Sequence, residues 1–102
     1  MLTATLSVSK QNLRCKDIVE TLARMGVACS VTANTSLVKY DGTLVREPGC
    51  RIVFGDIQSK DELRRVWDGL QQAHRFTCGH AVLQGAASGC VFDVFGASRC
   101  PG

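Results

Sequence analysis

The run from Ala28 to Asp56 constrains the fold of this chain most tightly. Val27, Cys29, Val31 and Ala33 alternate with Ala28, Ser30 and Thr32, and a period of two marks a strand with one buried face. Leu37 to Tyr40 and Thr43 to Arg46 then flank Asp41-Gly42. That dipeptide suits a type I′ hairpin turn, because both of its positions need positive φ. Pro48-Gly49 is expected to reset the chain before Cys50, Ile52 and Phe54 alternate with Arg51 and Val53 as a further strand. A meander of this kind specifies a sheet and carries no catalytic signature.

The flanking segments supply the other elements. Leu2, Ala4, Leu6 and Val8 alternate with Thr3, Thr5 and Ser7 as an N-terminal strand. No basic stretch precedes it, so no secretory leader is expected. Asn12 is a candidate cap for a helix over residues 13–25, in which Cys15, Ile18, Val19, Leu22 and Met25 form one stripe and Gly26 ends the turn. Ser59 and Glu62 form a capping box that opens a second helix over residues 59–75, with Leu63, Val66, Trp67, Leu70 and Ala73 on its apolar side. Gly69 weakens that helix by about 1 kcal/mol relative to alanine.

The order β-α-β-β-β-β-α predicts an α/β two-layer sandwich, thioredoxin-like or ferredoxin-like, with both helices on one sheet face. The other face would carry Thr3, Thr5, Ser7, Ser30, Thr32 and Arg51. Leu6, Val8, Ile18, Leu22, Val31, Ile52, Phe54, Leu63, Val66, Trp67 and Leu70 are the expected core. Residues 77–102 read as a glycine-rich apolar tail appended to a domain of residues 1–76. Within it, Thr77 to Leu83 would add an edge strand and Val91 to Phe95 another. Such a tail is expected to dock on a partner.

With 102 residues and 45% hydrophobic side chains, the chain suits one domain with a modest core. No stretch approaches the roughly 20 apolar residues of a membrane span, so no membrane partner is expected. The six cysteines, at positions 15, 29, 50, 78, 90 and 100, show no framework of pairs. They read as free thiols in a reducing compartment, without a structural disulfide.

The chemistry-bearing residues are sparse. Cys78, His80, Cys90 and Cys100 have the right softness for zinc, but nine residues separate His80 from Cys90 and nine more precede Cys100. Structural zinc sites use short ligand pairs, so no metal and no cofactor are expected. There is no Cys-x-x-Cys pair and no phosphate-binding glycine loop, and the only histidines are His74 and His80. These absences argue against an enzyme and against a small-molecule substrate. The net charge of +3 permits nucleic-acid contact. The candidates are Lys10, Arg14 and Lys16 near the first helix, Arg51 on the polar sheet face, and Arg64 and Arg65 on the second helix. Interleaved Asp17, Glu20, Asp61 and Glu62 suit a merely solvated face equally well.

Cys29-Ser30-Val31-x-Ala33, Asp41-Gly42, Glu47-Pro48-x-Cys50 and Val53-Phe54-Gly55-Asp56 resemble the family of the fifty-third protein of the mitochondrial large ribosomal subunit. The resemblance covers about the first three quarters of the chain. It departs from the family at Val8-Ser9-Lys10, where members tend to have Cys-Pro-Phe. It implies a thioredoxin-like domain without redox chemistry, acting as a structural subunit in the mitochondrial matrix, with ribosomal RNA and neighbouring ribosomal proteins as partners. The residues by themselves leave open a free-standing nucleic-acid-binding or regulatory α/β domain of cytosol or nucleus, or a small zinc-binding module.

Overall fold

A computed structural model describes residues 3–55, 57, 59–84, 90–93 and 98–99. Its elements are β1 (Thr3–Ser9), α1 (Cys15–Arg24), β2 (Cys29–Tyr40), β3 (Thr43–Phe54), α2 (Lys60–His74), β4 (Cys78–Gln84), β5 (Cys90–Asp93) and β6 (Ser98–Arg99). One antiparallel sheet runs in the order β2-β3-β1-β4-β5-β6. The β-α-β-β-α-β unit from β1 to β4 is the ferredoxin-like split βαβ arrangement, with both helices on one face. The chain is therefore a two-layer α/β sandwich, and of the two expected variants the ferredoxin-like one describes it.

β1 occupies the centre of that unit because Ala4, Leu6 and Val8 can be covered completely there, between β3 and β4. Leu6 lies opposite Ile52 on one side and Ala81 on the other, and all three are buried. Ile18 and Leu22 of α1 and Leu63, Val66, Trp67 and Leu70 of α2 close over this layer. Val31 is only half-buried, since β2 is an edge strand with a neighbour on one side alone. Among the described residues, no helix is long and apolar enough to cross a membrane.

Several local expectations change. The four short strands expected between residues 27 and 54 are two of 12 residues each, paired from Cys29–Phe54 out to Tyr40–Thr43. Pro48 does not interrupt β3, for a reason of geometry. Its carbonyl accepts the Lys10 N–H at 3.3 Å, on the side where β1 stops. In extended backbone its imide nitrogen faces that same side, so no bond to β2 is lost. Asp41 and Gly42 both have positive φ, as the hairpin turn requires. Asn12 also has positive φ and supplies a turn rather than a cap; Arg14 occupies the cap position without a side-chain bond. Ser59 does cap α2, accepting from the Glu62 N–H at 3.3 Å.

Two further corrections concern the cysteines and the tail. Cys15 and Cys50 form a disulfide, although free thiols were expected. Their separation of 35 residues hides the pairing in sequence, and only the packing of α1 on β3 brings them together. The edge strand expected at Thr77 to Leu83 forms, but as the interior strand β4, paired with β1 along its whole length and with β5 beyond.

Candidate functional site

The hairpin β2–β3 outruns β1, which pairs with β3 only from Phe54 to Gly49. Past that point the outer face of the hairpin curls over the start of β4, and three side chains converge there. Glu47 lies opposite Ser36 in the register and is 3% exposed. The Tyr40 hydroxyl, on the same hairpin face, donates to Glu47 Oε1. The Thr77 hydroxyl, just ahead of β4, donates to Glu47 Oε2 at 2.7 Å. Thr77 is itself fixed, because its backbone N–H donates to the Ser9 carbonyl at 3.0 Å.

The electrostatics are unusual for so short a chain. A buried carboxylate is costly unless it is paired and hydrogen-bonded. Glu47 has two hydroxyl donors, yet among the described residues it forms no ion pair with a lysine or arginine. The Tyr40 hydroxyl is pushed above its ordinary value, chiefly because it donates to the Glu47 carboxylate and partly against the opposing effect of Thr77. It is therefore a neutral phenol at physiological pH. Ser9 Oγ and Asn34 Oδ1 are buried next to this cluster without hydrogen-bond partners. Gly49 is required by the same crowding: a Cβ there would stand 2.7 Å from Asn34 Oδ1 and 2.9 Å from the Val8 carbonyl.

Beside the cluster is an open pocket of about 360 Å³ lined by Leu37, Val38, Lys39, Tyr40, Thr77 and Cys78. Its walls are largely apolar, and Tyr40 and Thr77 belong to both pocket and cluster. A larger pocket of about 470 Å³ lies at the opposite end of the sheet, between the end of α1 and the start of α2. Among the described residues its lining is apolar or backbone apart from Glu62 and Arg65. The smaller pocket is the one with chemistry at its side.

The residues proposed from sequence lie elsewhere. Lys10, Arg14 and Lys16 cluster around the entry to α1, and Arg64 and Arg65 are on the outer side of α2. Arg64 is engaged with Asp68 at 3.9 Å, a surface i,i+4 pair. Arg51 is exposed on the open sheet face, in the other layer, so the six cations do not make one surface. Cys78 and His80 share one face of β4, whereas the side chains of Cys90 and Cys100 lie outside the described residues. Among the described residues, no group of three metal-capable side chains assembles. Tyr40, Glu47 and Thr77 were missed. Glu47-Pro48-Gly49 looks like a turn, and nothing in the spacing of 30 residues between Glu47 and Thr77 announces a contact.

No protein-family model matches the chain, and no curated protein matches it in sequence. Its fold is similar to that of solved structures. A phage SAM lyase in complex with S-methyl-5′-thioadenosine superposes with a TM-score of 0.74 at 17% identity, over 94% of this chain and 89% of that one. CutA from Synechococcus elongatus gives a TM-score of 0.57 at 18% identity, over 80% and 73% of the two chains. A DUF3240-family protein from Shewanella baltica gives 0.55 at 10% identity, over 84% and 90%. These likenesses concern the fold. They cover 73% to 90% of the neighbours' lengths, and none of these neighbours is a ribosomal protein, which overturns the ribosomal-subunit reading drawn from the Cys29 to Asp56 motifs.

Proposed function

We infer that this chain is a small enzyme that cleaves S-adenosylmethionine and releases S-methyl-5′-thioadenosine at the Tyr40–Glu47–Thr77 site. The observation that carries this reading is the buried Glu47 carboxylate, hydrogen-bonded by two hydroxyls and without an ion-pair partner among the described residues. Such a group favours a cationic ligand, whose charge offsets the cost of burial. S-adenosylmethionine brings a sulfonium and an ammonium, and its name enters through the SAM lyase whose fold this chain shares.

The chemistry fits a site with few titrating groups. Release of the neutral thioether requires the bond between sulfur and the γ-carbon of the aminobutyryl group to break, with its electron pair staying on sulfur. An oxygen of the substrate's own carboxylate attacks the γ-carbon from the opposite side and closes a five-membered lactone. Atoms and electrons balance without a proton transfer or a co-reactant. The protein then has to orient and to stabilise. Glu47, just behind the Tyr40 and Thr77 wall of the pocket, draws the ammonium to that side, which frees the substrate carboxylate to turn toward the γ-carbon. The ring of Tyr40 faces the sulfonium, a cation–π contact. Charge is annihilated in this step, so apolar walls such as Leu37 and Val38 favour the transition state over solvated reactants.

The test is direct. Purified chain incubated with S-adenosylmethionine should produce S-methyl-5′-thioadenosine and homoserine lactone in equal amounts, read by chromatography and mass spectrometry. Glu47→Gln, with its helical circular dichroism intact, should lose activity by about 100-fold or more, the usual scale for breaking a buried charge pair. Product at no more than the uncatalysed rate from folded wild type would sink the reading, and binding without turnover would make the chain a regulatory binding domain.

A further inference from the structure

We propose that Thr77 is the positioning residue of this site, a hydroxyl clamp that ties the Glu47 carboxylate of the hairpin to the end of β1. The inference rests on the proposed function of this site and adds a role for Thr77. Its basis is a set of three close polar contacts made by one residue. The Thr77 backbone N–H donates to the Ser9 carbonyl at 3.0 Å, which fixes the residue at the junction of α2 and β4. Its Oγ1 lies 3.0 Å from the same carbonyl and 2.7 Å from Glu47 Oε2. A hydroxyl has one hydrogen to give. The charged acceptor at the shorter distance takes it, while the backbone N–H continues to serve Ser9.

The clamp matters because the Lys10 N–H to Pro48 carbonyl bond holds only the backbone of the hairpin at this height and leaves the Glu47 carboxylate to its side-chain partners. β1 stops at Ser9, opposite Gly49, and the hairpin continues from there with only its own two strands. Glu47 stands two residues beyond that last rung. Without the Thr77 bond its carboxylate would be held by Tyr40 alone, and Tyr40 belongs to the same hairpin and moves with it. Thr77 thus converts a carboxylate on a projecting arm into one with a defined place relative to the sheet. A threonine suits this better than a serine of equal reach, since β-branching restricts the side-chain rotamers.

Tyr40 is the chain's only tyrosine, so its phenolate absorbance reads the cluster without any substrate. Glu47 raises its titration and the Thr77 hydroxyl lowers it. Thr77→Val keeps the branched shape and removes the hydroxyl; Thr77→Ser keeps the hydroxyl. In full-length protein, Thr77→Val should move the Tyr40 titration to higher pH and lower kcat/KM for S-adenosylmethionine by about 10- to 100-fold, the range for a lost hydrogen bond to a charged group. Thr77→Ser should restore both to near wild type. If Thr77→Val does not fold, Thr77→Ser and Thr77→Ala carry the same comparison. A Tyr40 titration unchanged when the hydroxyl is removed overturns the clamp. A shifted titration in a chain that never cleaves S-adenosylmethionine supports the clamp and overturns the proposed reaction instead, so the two failures are distinct.

Discussion

Cys15 at the start of α1 and Cys50 in β3 are joined by a disulfide, with their Cα atoms 5.9 Å apart. The bridge fastens the helix layer to the sheet three residues beyond Glu47, on the strand that carries the candidate site. Cys15 also approaches the Gly49 carbonyl at 3.7 Å. The loop it closes spans 35 residues, which in the chain-entropy model stabilises the fold by about 3–4 kcal/mol. Unfolding free energies from denaturant titration of the oxidised chain and of the Cys15→Ser/Cys50→Ser double variant should differ by that amount, with a lower midpoint in the variant. Equal midpoints would show that the bridge contributes nothing.

Trp67 lies against Gly79, so closely that a Cβ at position 79 would meet the indole ring at 2.7 Å and the Ser7 carbonyl at 3.1 Å. Neither neighbour can yield cheaply, because one is a rigid ring in the core and the other is backbone of the central strand. Gly79→Ala is therefore expected to destabilise by about 1–3 kcal/mol, as overpacking does. The chain has a single tryptophan, so its fluorescence maximum should move to longer wavelength in the same variant. An unchanged spectrum and midpoint would contradict this packing.

Gly69 offers the opposite sign. A Cβ there would meet Met25 Cε at 2.8 Å and Sδ at 3.2 Å, the far end of a flexible and partly exposed side chain. Met25 can swing away with little loss. The gain in helix propensity should then dominate, and Gly69→Ala is expected to stabilise by about 0.5–1 kcal/mol. A lower melting temperature in that variant would show that the Met25 contact outweighs propensity.

His74 gives the fold a pH dependence. Burial, with the nearby charges of Lys10 and Arg24, pushes its imidazole below the ordinary 6.5, against a smaller opposing effect of Asp17. Its Nε2 lies 2.7 Å from Thr21 Oγ1, which donates to the Asp17 carbonyl and so accepts from the imidazole. Between the lowered value and 6.5 the unfolded chain binds more protons than the folded one. The stability this group contributes is therefore fully present above about pH 6.5 and lost as pH falls through the lowered value. Midpoints measured from pH 7.5 down to 5 should decline in wild type and decline less in His74→Gln. Parallel curves would remove His74 as the cause.

Much of the layer structure was legible because local periodicity and burial agree. Leu6, Val8, Ile52 and Phe54 alternate strictly, Ile18 and Leu22 share a helical stripe, and the turn at Asp41-Gly42 needs only its own two residues. Pro48 misled because a proline's effect depends on which neighbour its nitrogen faces, and that is a property of the sheet. The ribosomal reading misled for a related cause: short motifs around Cys29, Asp41 and Glu47 describe a hairpin, and a hairpin can serve many functions.

Sequence alone determined the two helices, the strand parity and the identity of most core residues, since each depends on neighbours within a few positions along the chain. Tertiary structure alone decided that β4 lies inside the sheet, that Cys15 meets Cys50, and that Tyr40, Glu47 and Thr77 form one cluster. Pairing of β4 with β1 joins Thr3 to Gln84, 81 positions away, and the cluster's contacts join residues up to 37 positions apart, Tyr40 and Thr77. They arise only where a long hairpin outruns β1 and folds its outer face over the start of β4, and no local pattern records how far one strand projects beyond another.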